Sequence, residues 1–512
     1  MWIGTAAQCR EIDRYAIEEL GVDPNALMES AGKAVFETVM ALAPGGSVLV
    51  LCGPGNNGGD GLVAARLLDE AGAEVCAYVA GAKSKLSDGC KTQLTAARKA
   101  GIEITFHGEP GWEAIDKRAS DSTVIVDGLL GTGQIGEPSG AVREAVIAID
   151  NSHAVVVSID VPTGIMTDSG DAPGAFVDAD ATVSFELAKP CFFQGTGAEA
   201  CGDWVVVDVG IPEAAFRDST GFGVLDDPTM CATLGVRDIH SHKGDNGHVL
   251  IVAGSYRMRG AASLAALGAL RSGAGMVTVA GVSEVCDVAA THVPEALLMP
   301  LDDEDDGVLA PDAADQILEF QDRYRCAVFG PGLTTHESTR GFLSRMWDDW
   351  SLPSVIDADA LNALSLGLEL PDAPCILTPH PGEMARLLGM SAEKVQEDRF
   401  GSVLEAVEKY DRTVLLKGAY SVVGEPDANV LVNTSGNPGM ATAGMGDVLA
   451  GVVAGLLAQG LPTLQASAVG AHLHGLAGDI CAAEIGPVGY VASDVAAAIP
   501  AARAKLEECY EE

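Results

Sequence analysis

Short apolar segments alternate with amphipathic segments along most of the chain. The apolar segments are four to six residues long, end in glycine or an acidic residue, and are separated by helix-like stretches. Parallel sheets covered by helices produce this alternation, because their strands are buried on both faces. The pattern therefore predicts an α/β architecture in both halves of the chain.

The predicted strands fall into two sets. The first half contains apolar runs at 47–53, 74–81, 122–128, 154–164 and 204–210. The second half contains runs at 248–254, 276–281, 326–332, 354–359, 375–382 and 413–418. Between the sets, residues 212–228 lose this periodicity and carry Pro, Gly and acidic residues, as domain linkers do. We therefore predict two domains, at 1–218 and 226–512, in a chain too long for one core.

Composition narrows the classes of function. A formal net charge of −41 argues against nucleic acid or an anionic membrane as a partner. The first residues bring in charges early, unlike a signal peptide, and polar residues interrupt the weakly polar stretch at 450–478. Twelve cysteines without a C-x-x-C pair indicate reduced thiols. We expect a cytoplasmic protein without a membrane span.

Three predicted strands of the first half are followed by loops rich in Gly, Asn and Asp. These are "GPGNNGGDG" at 53–61, Asp127 with "GLLGTGQIGE", and Asp160 with "VPTG". Such loops meet at the carboxyl edge of a parallel sheet, where ligands bind at the switch point. Glycines let backbone N–H groups approach a phosphate, and the Asn and Asp oxygens suit a hard cation. One such loop alone is more often a tight turn, but three together favour a ligand site.

These loops, with "AAQCREIDRYAIEELGVDPNALMESAGKAV" before them and "SIDVPTG" at Asp160, resemble the NAD(P)H-hydrate epimerase family over about residues 1–215. The resemblance implies a Rossmann-like parallel-sheet domain that interconverts the R and S forms of hydrated NADH or NADPH. Asp160 would be catalytic, with Lys189 as a further active-site residue, and a potassium ion would be held by Asn57, Asp127 and Thr163. The implied substrate-binding residues are Asn56, Asn57, Gly58, Gly59, Asp60, Gly131, Thr132, Gly133, Gln134, Ile135, Gly136, Glu137 and Asp160.

The second half carries a different set of motifs: "SHKGDNGHVLIVAGS", "GPGL", "TPHPGEMARLL", "KGAYSVV" and "NTSGNPGMATAGMGDVLAG". The last is a Gly-rich loop that runs into an apolar helix with Asp447 in its first turn. Backbone N–H groups of 443–446 can stabilise charge on a transferring phosphoryl group, and Asp447 can take a proton from a hydroxyl. The simpler structural interpretation of Asp447 is a helix cap.

These motifs resemble the ADP- or ATP-dependent NAD(P)H-hydrate dehydratases, a branch of the ribokinase-like fold, over about residues 235–505. The resemblance implies that Asp447 is the catalytic acid/base and that Mg2+ acts with the nucleotide. The implied dinucleotide-binding residues are Gly332, His380, Pro381, Gly382, Glu383, Met384, Ala385, Arg386 and Asp447. The implied nucleotide-binding residues are Lys417, Gly418, Ala419, Tyr420, Ser421, Asn437, Pro438, Gly439, Met440, Ala441, Thr442, Ala443, Gly444, Met445 and Gly446.

Three details of the second half bear on these assignments. Met445 stands where many relatives have Thr, so any hydroxyl contact there is lost. His380, between two prolines, is either a base or a rigid loop residue, and the resemblance implies binding. His472 and His474 are two residues apart, which places them on different faces of a helix and favours packing over a metal pair.

The two resemblances together imply repair of hydrated nicotinamide dinucleotides. The chain would epimerise the R and S forms and dehydrate the S form at the expense of ADP, and we expect it to form a homo-oligomer. One alternative is a ribokinase-like small-molecule kinase. In the other, the N-terminal half is a binding or dimerisation module without catalysis.

Overall fold

The structure is a computed structural model that describes residues 1–216, 221–304 and 307–508. The chain divides into two compact units, Met1–Phe222 and Gly223–Glu512. The predicted domain ends at residues 218 and 512 lie outside the described residues. The predicted bounds 1–218 and 226–512 therefore stay a prediction.

A parallel sheet forms the centre of the first unit. The strands of this unit are β1 (Trp2–Ile3), β2 (Ser47–Cys52), β3 (Glu74–Val79), β4 (Glu103–Phe106), β5 (Val124–Gly128), β6 (Val155–Ile159), β7 (Ala181–Phe185) and β8 (Asp203–Val207). Strands β2 to β8 pair in parallel in the order β4-β3-β2-β5-β6-β7-β8. The direction in which the sheet grows reverses between β2 and β5, so the switch point lies where sequence analysis predicts the ligand site.

Helices cover both faces of this sheet. They are α1 (Ala6–Glu18), α2 (Pro24–Leu42), α3 (Asn56–Glu70), α4 (Asp88–Ala100), α5 (Ile115–Asp121), α6 (Gly140–Asp150) and α7 (Gly197–Ala200). Alternate residues of β2 point to opposite faces: Val50 packs into the core formed with α2, α3 and α4, and Leu49 into the core formed with α5 and α6. Burial on both faces explains the continuous apolar run "SVLVLC".

The glycine-rich stretch at 53–61 is mostly helical, because α3 begins at Asn56. A Cβ on Gly53 would lie 1.7 Å from the carbonyl oxygen of Leu129, and one on Gly58 would lie 2.0 Å from that of Gly53. A Cβ on Gly55 would have no atom within 4 Å. Gly53 therefore permits close packing between the loops that follow β2 and β5, and Gly58 permits the first turn of α3 to pack against Gly53.

The sheet of the second unit is mixed. Its strands are β9 (Phe222–Val224), β10 (His248–Val252), β11 (Met276–Gly281), β12 (Leu297–Pro300), β13 (Cys326–Phe329), β14 (Ser354–Ile356), β15 (Cys375–Leu377), β16 (Thr413–Leu416), β17 (Val422–Gly424) and β18 (Val430–Val432). They follow the order β9-β18-β17-β16-β15-β14-β13-β10-β11-β12. The pairs from β12 to β16 are parallel, but β17 pairs antiparallel with both β16 and β18. Short connections make a meander of β16, β17 and β18 at this end of the sheet.

Helices of the second unit include two that are apolar on nearly all sides. The helices are α8 (Asp227–Leu234), α9 (Gly260–Ser272), α10 (Ser283–His292), α11 (Ala313–Leu318), α12 (Glu337–Asp349), α13 (Ala358–Ser365), α14 (Pro381–Leu388), α15 (Ala392–Glu397), α16 (Arg399–Tyr410), α17 (Met445–Ala458), α18 (Thr463–Glu484) and α19 (Ala492–Glu507). Helices α17 and α18 supply the weakly polar stretch and are largely buried. A Cβ on Gly451 would lie 1.9 Å from the Ala265 carbonyl oxygen, which shows how closely α17 packs on α9. Among the described residues, no helix combines the length and apolar content needed to cross a membrane.

Replacing Gly53 with Ala is expected to lower the free energy of unfolding of the first unit by about 3 kcal/mol, because the new methyl group collides with backbone that has no room to move. Gly55 has ordinary extended backbone at φ −86° and is the matched control, so G55A should keep most of the stability. Urea unfolding of both variants, followed by circular dichroism, measures the difference. Equal stability of G53A and G55A would contradict the packing argument.

Candidate active sites

A cavity of about 560 Å³ opens at the carboxyl edge of the first sheet. Helices α1 and α2 form one wall, and the loops after β2, β5 and β6 form the other. Among the predicted substrate-binding residues, those that line the cavity are Asn56, Asn57, Asp60, Gly131, Thr132, Gly133, Gln134 and Asp160. Gly58 and Gly59 are buried beneath it against Gly53 and Met28. Ile135, Gly136 and Glu137 continue the same loop outside the lining, and Ile135 is 91% exposed.

Asp160 and Lys189 form a buried ion pair in this cavity. The Lys189 Nζ lies 3.1 Å from Asp160 Oδ1, and Lys189 is 1% exposed. Thr132 donates to Asp160 Oδ2 from its hydroxyl and from its backbone N–H at 3.0 Å. Burial raises the pKa of Asp160, but Lys189 and the Thr132 donors outweigh it and hold this pKa below its usual value. Asp160 is therefore a carboxylate at neutral pH and can accept a proton.

The Lys189 ammonium is held from several sides. It donates to the Ser184 hydroxyl at 2.9 Å and to the carbonyl oxygens of Leu187 at 2.8 Å and Phe185 at 3.1 Å. Asp160 itself has left-handed backbone, with φ +66°, which is uncommon outside glycine. The fold therefore fixes the positions of both partners, and Lys189 belongs to the same site as Asp160.

The three predicted potassium ligands lie in one hydrogen-bond network around Leu130. Asn57 Nδ2 donates to the Leu130 carbonyl oxygen at 2.7 Å, and the Leu130 N–H donates to Thr163 Oγ1 at 3.0 Å. Thr163 donates to Asp127 from its hydroxyl at 2.7 Å and its N–H at 2.9 Å. Asp127 is fully buried, and burial raises its pKa. The set offers only oxygen ligands, which fits a hard cation.

Two further acids of this cavity have shifted pKa values, and one of them, Asp13, was not predicted from the sequence. Asp13 on α1 lines it, and burial, together with Asp160 and Glu186, raises the pKa of Asp13 to about 6 although its side chain is open to the cavity. Burial raises the pKa of Asp60 well above its usual value, with Asp160 and Asp13 adding to this effect. The sequence did contain one indication of Asp13, because an acid at this position lies on the same face of helix α1 as Cys9 and Ile12.

In the second unit, His380 caps helix α14. Its Nδ1 accepts from the backbone N–H groups of Gly382 at 3.0 Å and Glu383 at 3.4 Å, and Glu383 accepts from the His380 N–H at 2.8 Å. Burial, Lys417 and Arg386 lower the pKa of His380. Of the two interpretations, a neutral, fixed residue at the start of α14 matches this geometry better than a free base does. Arg386 is oriented by Asn362, whose Oδ1 accepts from Nε at 2.9 Å.

Asp447 lies in the first turn of α17 and does not cap it. Gly444, at φ +89°, is the N-cap residue, and no side chain caps this helix. Burial and the charge of Asp357 raise the pKa of Asp447 to about 7, against an opposite effect of Lys417. Such a group exchanges protons readily at neutral pH. A Cβ on Gly446 would lie 3.3 Å from Lys417 Nζ, so the loop and Lys417 meet here.

The remaining predicted nucleotide-binding residues differ in how far they are exposed. Met445 is 7% exposed, so its side chain packs inward and leaves the backbone of the loop to face solvent. Asn437 donates to Asp479 Oδ1 at 2.9 Å and accepts from the Tyr490 hydroxyl at 2.6 Å, which fixes the turn that follows it. The residues with at least partial exposure are Gly418, Ala419, Tyr420, Ser421, Asn437, Pro438, Gly439, Met440, Ala441, Thr442, Ala443, Gly444 and Gly446. Gly332 has φ +66° and packs against Met258.

His472 and His474 have different surroundings, as their spacing predicts. His472 Nε2 lies 2.6 Å from Asp227 Oδ1, and its Nδ1 lies 3.2 Å from Asn433 Oδ1. His474 is buried nearer Met445 and Lys417, and burial lowers its pKa to about 4. Within the described ranges no group of three or more His, Cys, Asp or Glu residues could hold a metal, and the cysteines are free thiols.

Two α/β units, each with an aspartate–lysine ion pair at the carboxyl edge of its sheet, are typical of a two-domain enzyme. Comparisons with known proteins identify the family of each unit. The family described as YjeF-related protein N-terminus matches residues 24–191, and the family described as NAD(P)H-hydrate dehydratase matches residues 249–501.

Full-length relatives join the two halves. The chain is 37% identical to the bifunctional NAD(P)H-hydrate repair enzyme Nnr of Moorella thermoacetica, over 99% of this chain and 98% of that protein. It is also 37% identical to the enzyme of the same name from Thermofilum pendens, over 100% of this chain and 98% of that protein. The chain belongs to the family of bifunctional NAD(P)H-hydrate repair enzymes.

A solved structure supports the fold of the second unit. The ADP/ATP-dependent NAD(P)H-hydrate dehydratase of Bacillus subtilis, co-crystallised with ATP/Mg2+, is 30% identical with a TM-score of 0.50, over 56% of this chain and 99% of that chain. A ribokinase-like superfamily protein of Enterococcus faecalis is 26% identical with a TM-score of 0.50, over 56% of this chain and 96% of that chain. The second unit is therefore ribokinase-like, and the family favours repair over the alternative small-molecule kinase.

Replacing Lys189 with Met is expected to lower the free energy of unfolding of the first unit by about 3 to 5 kcal/mol at pH 7, because it leaves Asp160 buried and without its cation. The matched control is K83M, which breaks the exposed Lys83–Glu109 pair and should change stability little. Folding lowers the pKa of Asp160. The ion pair therefore stabilises the protein at pH values above about 4, the pKa of an aspartate in the unfolded chain, and this contribution is lost as the pH falls below that value. Urea unfolding at pH 7 and pH 4 measures both effects; a K189M deficit that grows in acid would contradict this assignment.

Proposed function

We propose that the first unit epimerises the R and S forms of hydrated NADH and NADPH and that the second unit dehydrates the S form at the expense of ADP. The main support for this proposal is 37% sequence identity to bifunctional repair enzymes over nearly the whole chain. In addition, each matched unit contains an aspartate with a shifted pKa, Asp160 in the first and Asp447 in the second. Dehydration of the S form alone would leave the R form unrepaired. An epimerase on the same chain makes both forms available.

In the first unit, we assign proton transfer to Asp160. Epimerisation at C6 proceeds by loss and return of the hydroxyl, with electrons supplied by the ring nitrogen, and a fixed carboxylate relays the proton. The cavity wall carries Asp13, Asp60 and Asp160 with few cations. The negative charge of this wall favours the uncharged hydroxylated ring over the diphosphate. The glycine-containing loop at 131–137 offers backbone N–H donors to the diphosphate instead.

The proposed potassium ion would be held by Asn57, Asp127 and Thr163. These residues offer oxygen ligands, and Asp127 is buried. Among the described residues, no lysine or arginine forms an ion pair with Asp127. A bound cation would compensate the charge of Asp127 and supply positive potential beside the loops that receive the dinucleotide. The protein residues then hold these loops in place through the network around Leu130.

In the second unit, we assign acid/base chemistry to Asp447. It takes the proton from the C6 hydroxyl as that oxygen attacks the β-phosphorus of ADP and displaces AMP, and backbone N–H groups of 443–446 stabilise the phosphoryl charge. The C6 phosphate then leaves with loss of a proton from C5, which restores the C5–C6 double bond of the dihydronicotinamide. Bound Mg2+ would offset the charge of the nucleotide phosphates, since three carboxyl groups, those of Asp357, Glu383 and Asp447, lie around the Lys417 ammonium.

The enzyme is proposed to be cytoplasmic and homo-oligomeric. The exposed side chains of Leu297 and Leu298 on edge strand β12, at 55% and 39%, support self-association. Sedimentation velocity measures the state of assembly.

The decisive experiment incubates the protein with mixed R and S hydrated NADH, K+, Mg2+ and either ADP or ATP, and follows the return of NADH absorbance. Complete recovery is expected with ADP. Recovery that stops at the S fraction would remove the epimerase assignment, and no recovery with either nucleotide would favour the kinase alternative.

Two variants separate the activities on one chain. D160N is expected to abolish epimerisation and leave dehydration of the S form intact, whereas D447N should do the reverse, because each removes the proton acceptor of one unit only. Each variant therefore serves as the folding control of the other. Chiral separation of the R and S forms measures the first activity and NADH absorbance the second. Retained epimerisation in D160N would exclude Asp160 from the mechanism.

A further inference from the structure

Asp357 is a buried carboxylate that no function assigned so far uses. It follows β14 directly and is 1% exposed. Its Oδ1 lies 2.5 Å from Lys417 Nζ and accepts from the Thr378 hydroxyl at 2.9 Å. Lys417 follows β16, two strands away in the sheet, so this contact links loops on either side of β15. The pair lies at the carboxyl edge where the nucleotide is proposed to bind.

The backbone around Asp357 allows it little movement. Its N–H donates to the Phe329 carbonyl oxygen at 3.0 Å. A Cβ on Gly330 would lie 1.8 Å from the Asp357 carbonyl oxygen, and Ala358 has left-handed backbone at φ +48°. Because a non-glycine residue in that region is strained, the surrounding fold must hold it there. Asp357 is therefore a fixed anchor for the flexible side chain of Lys417.

Lys417 is directed at the first turn of α17. Gly446 is so close that a Cβ there would lie 3.3 Å from Lys417 Nζ. Glu383 at the start of α14 lies 3.9 Å from the same nitrogen. The ammonium thus stands between Asp357 and the backbone donors proposed to receive the transferring phosphoryl group. A cation in this place stabilises phosphate charge and the carboxylate form of Asp447.

We propose that Asp357 is a positioning residue for dehydration, which holds the Lys417 ammonium beside the N-terminal turn of α17 so that Lys417 acts on the transferring phosphoryl group. The proposal rests on the dehydratase function proposed for the second unit. It assigns Lys417 to the phosphates of the nucleotide, and it gives Asp357 a role exerted through Lys417 rather than through direct contact with substrate.

The pH profile distinguishes positioning from simple packing. The groups that face Asp447 are Asp357, Lys417, Asp359, Glu383 and, near Met445, the neutral His474. Removing the charge of Asp357 lowers the pKa of Asp447 in two ways, since one repelling carboxylate is lost and Lys417 is left without its partner. If deprotonated Asp447 is the active form, the acidic limb of kcat moves to lower pH in D357N, by about one unit.

D357N is expected to lower kcat for dehydration about 100-fold because the ammonium is no longer held in place, with a smaller change in the nucleotide KM. T378V is the matched control, because it removes the other contact of Asp357 Oδ1 and keeps the ion pair, so its pH profile should stay in place. The epimerase rate, measured on the same molecules, should be unchanged in D357N and T378V. An acidic limb of D357N that coincides with wild type would overturn the proposal.

A double variant tests whether Asp357 acts through Lys417. In a K417M background the pair is already broken, so D357N/K417M should turn over at the rate of K417M alone. The double variant buries no unpaired charge, so it can be measured even if D357N fails to fold; circular dichroism first checks that K417M, which leaves Asp357 unpaired, is folded. A further loss of kcat in the double variant would overturn the proposal. Absence of dehydration in wild type would instead be a failure of the proposed function itself.

Discussion

A lysine ammonium held against a buried aspartate carboxylate is the interaction on which both sites depend. In the first unit Lys189 is paired with Asp160, and in the second Lys417 is paired with Asp357. A charge removed from water is costly unless a partner and further hydrogen bonds compensate it. Each pair therefore requires the surrounding loops to keep one geometry, and the same loops form the walls of the site.

The two pairs leave neighbouring carboxyl groups in different states of ionisation. Lys189 helps to hold the pKa of Asp160 low, whereas burial and nearby carboxylates raise that of Asp13 to about 6. In the second unit burial and Asp357 raise the pKa of Asp447 to about 7, and Lys417 limits the rise. Groups whose environments separate their pKa values in this way can donate and accept protons at one pH. A chain with a net charge of −41 thus uses two local cations to control its acid/base chemistry.

The apolar runs located most central strands of both sheets and also the edge strand β8, but they missed other strands. Strands β4 and β12 lie at sheet edges, and their partly exposed side chains break the apolar run. Strand β7 contains the buried polar residues Thr182 and Ser184, which interrupt its apolar run. In the fold these side chains form hydrogen bonds, such as that from the Thr182 hydroxyl to the Cys201 carbonyl oxygen at 2.7 Å. Strands β17 and β18 were also missed, although the predicted strands β14 and β15 are equally short, with three residues each.

The sequence by itself determined the α/β class, the two sets of buried strands and the loops at which chemistry would occur, because these depend on local patterns of apolar, glycine and acidic residues. Only the tertiary structure decided which acids are paired, buried or free. Asp13 is far in sequence from Asp160, and Asp357 is 60 residues from Lys417, so no local pattern records these encounters. The folded sheet brings them together, and their pKa values and roles follow from distance and burial, which a linear pattern does not contain.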